Sequence, residues 1–273
     1  MSSTGETARR TAQRAKHSES VEWLGRAGLL AKGVLYGIVG LLAIQIPLGM
    51  GGKATDRQGA LRTVAAQPFG EVLLVVLGIG LLGYGVWSLV QAVLDRGEKG
   101  DDAKGLAKRA GYFGRGLLYL GTAGLAFALV VGAASGGSNE KEETANVLQW
   151  PLGRWIVGLV GLAILGAGLF NLYRALTRKF RKDLHEHELG GARPWAIAVG
   201  VVGHAARGVV FGLIGVFLLK AAVEYDPSEA VGIDGALRKL AQQPSGPWLL
   251  GLVAAGLLAY ALFCGVQARY REV

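Results

Sequence analysis

The sequence predicts an all-α integral membrane protein: a six-transmembrane-helix bundle made of three tandem, parallel two-helix repeats with pseudo-threefold symmetry. Three observations carry that prediction. Half of the 273 residues are hydrophobic and 44 are glycine, a balance suited to lipid rather than water. Six stretches each hold roughly 20 mostly apolar residues, enough to cross a hydrocarbon core of about 30 Å as helix. One pattern, a basic residue, a glycine, two aliphatics and an aromatic, recurs at 32–36, 115–119 and 207–211.

Residues 1–22 carry no apolar periodicity and are expected to form a disordered cytoplasmic tail. Their length and polarity argue against a cleaved signal peptide. Repeat 1 covers 23–95, with spans from Leu24 to Ile46 and Val72 to Leu94. Repeat 2 covers 107–178, with spans from Ala110 to Ala133 and Trp155 to Leu176. Repeat 3 covers 194–270, with spans from Trp195 to Ala222 and Trp248 to Val266. Each span must be helical, because hydrocarbon leaves no partner for an unpaired backbone group and the alternation of a barrel strand is absent.

The second halves of the repeats match as well. Repeats 1 and 3 share a short amphipathic piece, GALRTVAAQ at 59–67 and GALRKLAQQ at 235–243, then Pro-x-Gly, Gly-Leu-Leu, a tyrosine and Gln-Ala. The prolines are expected at the outer start of each second helix, where a missing N–H costs nothing. Repeat 2 keeps Pro151 and Gly153 but loses the GAL piece, and it has Ala167 where the others have Tyr84 and Tyr260. An even number of spans per unit inserts all three hairpins the same way up, so an axis along the membrane normal can relate them.

The formal charge is +9. Eighteen lysines and arginines fall on the side of the two termini and eight on the other, which predicts that both termini are cytoplasmic. The excess sits in juxtamembrane loops such as RKFRK at 178–182, where it holds topology and attracts anionic headgroups. A nucleic-acid partner is therefore not expected. The single Cys264 allows neither a disulfide framework nor a thiolate metal site.

Residues four apart share a helix face, so Gly28, Lys32, Tyr36 and Gly40 form one stripe. Gly111, Arg115, Tyr119 and Ala123 form the second, and Gly203, Arg207, Phe211 and Gly215 the third. Adjacent glycines, two pairs of them spaced as G-x-x-x-G at 33–37 and 208–212, predict close helix packing. Two readings of the basic residues compete. In one, each side chain snorkels back to the inner headgroups. In the other, Lys32, Arg115 and Arg207 form a cationic ring on the cytoplasmic half of the bundle, with Tyr36, Tyr119 and Phe211 beside them and Gln91, Arg174 and Gln267 in the same layer. Such a ring suits an anion, a phosphate or a lipid headgroup, whose charge would offset the repulsion among the cations.

The remaining polar residues are less informative. His204 reads as a hydrogen-bonded packing residue, and His185 and His187 lie in a charged loop without a second metal-ligand set. Glu71 and Asn171 have no counterpart in the other repeats, and Tyr84, Trp87, Tyr260, Trp195 and Trp248 read as core or interfacial aromatics. No nucleophile has a base within its repeat unit, so neither an enzyme nor a cofactor is expected. The function these features predict is a structural, lipid-interacting or assembly role, with membrane lipids as partners and a homo-oligomer or membrane-protein partner possible. The alternative is a transporter or channel for an anionic or amphipathic small molecule.

The combination of G-x-x-A/G-K/R-G at 28–33, 111–116 and 203–208, GAL-x-x-L/V-A-x-Q-P-x-G and GLL-x-Y resembles the bacterial, mainly actinobacterial, membrane family of domain of unknown function 1206. The resemblance runs from about Gly25 to Arg269 and departs only in the middle copy. It implies three tandem two-helix units and an inner-membrane location, and it brings no substrate or catalytic residue. Mitochondrial carriers are also built of three two-helix repeats, but their charged proline motif is absent here.

Overall fold

The apolar stretches become long helices because only an intrasegment ladder satisfies their backbone away from water. A computed structural model describes residues 19–52, 54–93, 103–133, 140–184 and 186–270. The first repeat holds α1 (Glu19–Ile44), the short α2 (Arg57–Ala65) and α3 (Gly70–Val93). The second holds α4 (Ala103–Val130), the short α5 (Glu140–Leu148) and α6 (Gly153–Thr177). The third holds α7 (Arg193–Glu224), the short α8 (Ile233–Ala241) and α9 (Gly246–Tyr270). The six long helices are each long and apolar enough to cross a membrane.

Two local expectations need correction. The first helix starts at Glu19, inside the segment expected to be tail, while residues 1–18 lie outside the described residues. The prolines of Pro-x-Gly do not open the second helices. Pro68, Pro151 and Pro244 lie in the preceding turns, and the helices begin at Gly70, Gly153 and Gly246. Those three positions must be glycine for one shared reason: a Cβ there would strike carbonyl oxygens at the end of the preceding short helix, on Val64, Val147 and Ala241 respectively. The turn is thus a backbone-on-backbone contact.

Lipid-facing and core-facing sides are plain on α3, where Leu74, Leu77 and Leu81 are buried while Val72, Val76 and Ile79 are more than half exposed. A continuous apolar face of that size is tolerable in hydrocarbon and costly in water.

The glycine after each basic residue packs the first helix of a repeat on the second helix of the preceding one. Gly33 meets Ala261 and Cys264 on α9, Gly116 meets Leu89 and Gly85 on α3, and Gly208 meets Leu172 and Gly168 on α6. All three seams between repeats are therefore closed.

The seams within repeats differ. Gly28 on α1 receives the Cβ and Cα of Tyr84 on α3, and Gly203 on α7 receives the backbone and Cβ of Tyr260 on α9, both approaches too close for any side chain. The equivalent Gly111 on α4 has nothing near it, because Ala167 replaces the tyrosine, is exposed, and α6 does not pack along α4. The helices run in contact in the order α4, α3, α1, α9, α7, α6, with one seam left open.

At the end of the bundle remote from the chain termini, Glu229 in the turn Pro227–Glu229 joins two elements: Lys220 of α7 donates to Oε1 at 2.9 Å and Lys239 of α8 donates to Oε2 at 2.7 Å. Hydrogen bonds from Lys239 and then Lys220 pull its carboxyl from 4.5 down to about 2.

Two predictions follow from these contacts. Gly28→Ala should lower the thermal midpoint of the detergent-purified protein, the overpacking costing about 1–3 kcal/mol, while Gly111→Ala leaves it unchanged or slightly raised. Because the folded-state pKa of Glu229 is depressed, its contribution is complete above the ordinary value of 4.5 and fades as pH falls towards about 2. The difference in thermal midpoint between the wild type and Glu229→Gln should therefore be constant above pH 4.5 and vanish in acid.

Candidate functional site

The stripe spacing on α1 puts Lys32 and Tyr36 on one face, and that face points into the arc of helices. Lys32 is only 6% exposed. Its ammonium lies 5.0 Å from the ring centroid of Tyr260 and 5.6 Å from that of Tyr84. It sits seven residues past Gly25, about 10 Å along the span. Lys32 thus lies among aromatic rings inside the bundle. The glycine seats bring two phenol faces within its reach, and cation–π attraction replaces part of the lost hydration.

Arg207 of α7 points into the same space. Its Nη1 donates to the Tyr260 hydroxyl at 2.5 Å, and its guanidinium carbon lies 4.3 Å from the Tyr260 centroid, 4.9 Å from Phe211 and 5.3 Å from Tyr36. The rings fix one another edge to face, Tyr36 with Tyr260 at 5.0 Å and Tyr84 with Tyr119 at 4.8 Å. Tyr84 also stacks on Trp87 at 5.5 Å.

A further cation was not among the expected members. Arg57, the first residue of α2, enters from the end that carries the short helices: its Nη2 donates to the Tyr36 hydroxyl at 3.2 Å, and its guanidinium lies 5.8 Å from Tyr36 and 5.9 Å from Tyr119. Burial works against its charge, but the phenol oxygens of Tyr36 and Tyr119 outweigh that and hold its pKa above the ordinary value. The signal was present in the repeat, since the aligned position before GAL is Ile233 in repeat 3.

Arg115 takes a different position. It is exposed, with its guanidinium over Tyr112 at 5.2 Å, on the side where the seam between α4 and α6 is open. Gln91, Arg174 and Gln267 lie seven residues beyond Tyr84, Ala167 and Tyr260, about 10 Å further along their helices, and so stand at a separate level. Gln267 is buried and Gln91 Oε1 accepts no hydrogen bond.

His204 is a packing residue. Nδ1 donates to the Gly200 carbonyl at 2.8 Å, and the ring stacks on Phe180 at 4.9 Å with Phe263 at 5.2 Å. Phe180, wholly buried, anchors the RKFRK loop in the bundle, a role its charged neighbours conceal in the sequence. His185 lies outside the described residues, and among those described no cluster of metal-ligating side chains occurs.

The electrostatics of the cluster are one-sided. No described residue gives Lys32 a hydrogen bond or an ion pair, and the Nε atoms of Arg57 and Arg207 are buried without a partner. The only carboxylates within the six spans are Glu71 and Glu224, each at the end of its helix next to the short helices. Charge at bilayer depth costs about 2.5–3.5 kcal/mol even by the lowest scales, and here cations and phenols are gathered with no carboxylate inside the spans beside them.

The comparisons agree with the architecture. The model of the family described as Domain of Unknown Function (DUF1206) matches three times, at residues 27–95, 110–178 and 202–271. A relative, the uncharacterized protein YxxB of Bacillus subtilis (strain 168), is 33% identical over 259 residues, covering 93% of this chain and 94% of its own. No solved structure matches. Three matched repeats, six apolar helices and a relative aligned nearly end to end lead to one assignment: the chain is a multi-pass membrane protein belonging to the DUF1206 family.

Proposed function

We propose that this protein is a non-enzymatic, lipid-interacting membrane protein that binds an anionic group of the phosphate or carboxylate class among Lys32, Arg57, Arg207 and the tyrosines around them. The observation that carries the reading is Lys32, an ammonium 6% exposed, held between two aromatic faces with neither hydrogen bond nor ion pair from any described residue. An anion entering there gains charge-assisted hydrogen bonds and relieves repulsion among the cations. The role is one of binding rather than chemistry, because the polar groups are cations and phenols and no carboxylate within the spans could act as a base. The basic loops orient the chain with both termini in the cytoplasm of the bacterial plasma membrane.

The test is titration of the detergent-purified protein with inorganic phosphate and with glycerol 1-phosphate, followed calorimetrically. A charge-assisted hydrogen bond contributes about 1.5–3 kcal/mol, so Lys32→Gln or Arg207→Gln should weaken binding about tenfold or more. Absence of binding in the wild type, or unchanged affinity in folded variants, would overturn the proposal.

Transport is the second reading, and Arg57 favours it by closing the cluster from the outer side through Tyr36. If the Arg57 to Tyr36 contact is a gate, Arg57→Ala should raise phosphate efflux from proteoliposomes severalfold over wild type. Equal, background-level efflux from both would exclude it.

A further inference from the structure

The one open seam of the helix arc and the cation cluster meet at Arg115. Two of the three basic stripe residues are drawn inside because a tyrosine of the same repeat seats itself on the glycine one turn earlier, Tyr84 on Gly28 and Tyr260 on Gly203. In repeat 2 the seat Gly111 is empty, the tyrosine is Ala167, and Arg115 is exposed. Helical spacing puts Gly114, Leu118 and Gly121 on the side of α4 turned away from α3, and Val160, Ala163 and Ala167 on one exposed side of α6. No atom lies within 4 Å of a Cβ built at Gly114 or Gly121. The gap is therefore walled by small and aliphatic residues, opens towards the bilayer, and has cations behind it.

We infer that this gap admits an anionic phospholipid sideways from the membrane, with an acyl chain between α4 and α6 and the phosphate headgroup on Lys32, Arg115 and Arg207. The inference rests on the reading of the cluster as an anion site and adds the class of ligand. Charge complementarity selects the occupant. Lys32, more than nine-tenths buried and with no hydrogen bond or ion pair from a described residue, calls for a negative group about 10 Å inside the span, while Leu118, Val160, Ala163 and Ala167 offer an acyl chain methyl and methylene surface. A phosphate carrying an acyl chain meets both conditions in one molecule. Transfer of a headgroup about 10 Å below the inner end of the span is favourable only where cations replace its hydration, and that is where they stand.

The test compares dioleoyl phosphatidic acid with inorganic phosphate on the full chain by native mass spectrometry and titration. Ala167→Trp and Gly121→Trp place a ring in the gap at positions outside the Lys32, Arg57 and Arg207 cluster, and both positions are open enough to accept it. We expect phosphatidic acid to bind at least tenfold more tightly than phosphate in the wild type. Each tryptophan should cut phosphatidic acid binding at least tenfold and leave phosphate within twofold. Phosphate binding with no advantage for the lipid, or lipid binding indifferent to tryptophan in folded protein, overturns the lateral-entry inference alone. Binding of neither probe, or of both unchanged in Lys32→Gln, overturns the anion-site reading beneath it. A wild-type dimer that tryptophan dissociates shows the gap to be a contact between copies and also overturns the inference. Should the variants fail to fold, phosphatidic acid with a photoreactive acyl chain supplies the result on the wild type. Labelling within 114–125 and 160–170 supports the inference, and labelling spread over all six helices overturns it.

Discussion

Two helix crossings decide where the polar groups of this protein lie. Tyr84 lies against Gly28, and Tyr260 lies against Gly203, with backbone approaches that only a residue lacking Cβ permits. Lipid tails are as apolar as leucine, so helix association in a bilayer depends on intimate contact of this kind rather than on hydrophobic burial. Once the second helix of a repeat is seated, its phenol ring must lie beside the cation one turn further along the first helix. Packing thus builds the site.

The cluster is electrostatically incomplete. Each cation–π contact returns on the order of 0.5–2 kcal/mol, which softens but does not cancel the loss of hydration when an ammonium or guanidinium is buried. Carboxylates are the usual answer to buried cations, and the protein does use one at the end remote from its termini, where Glu229 takes hydrogen bonds from Lys220 and Lys239. Between the ends of the spans it has none. The phenol oxygens of Tyr36 and Tyr260 accept hydrogen bonds from Arg57 and Arg207, and no carboxylate joins them there. That contrast between a neutralised end and a cationic interior is what gives the anion-binding reading its physical content.

Repetition and its failure are both informative. The three seams between repeats use the same glycine after the same basic residue, so the threefold pattern survives wherever one repeat meets the next. Within repeats it survives twice. In repeat 2, where alanine stands in place of the tyrosine, Gly111 has no neighbour, α6 packs on α7 but not also on α4, and Arg115 is exposed. A single ring substitution thus accompanies the change from a closed seam to an open one.

Span number, helical state, three repeats and the identity of the basic-aromatic stripes are all legible in the sequence, because hydrophobic length and i, i+4 spacing are local properties of the chain. The glycines of Pro-x-Gly could be seen but not explained, since the carbonyl oxygens that exclude a Cβ come from the turn just formed. Arg57 stood in plain view as a departure from Ile233, yet nothing in its neighbourhood reveals that its guanidinium reaches Tyr36, 21 residues away. Only the tertiary structure separates Lys32 and Arg207, drawn inward, from Arg115 at an open seam. One shared motif specifies the same helix face three times, and the neighbouring helix on that face, present in two repeats and withdrawn in the third, decides which environment each charge meets.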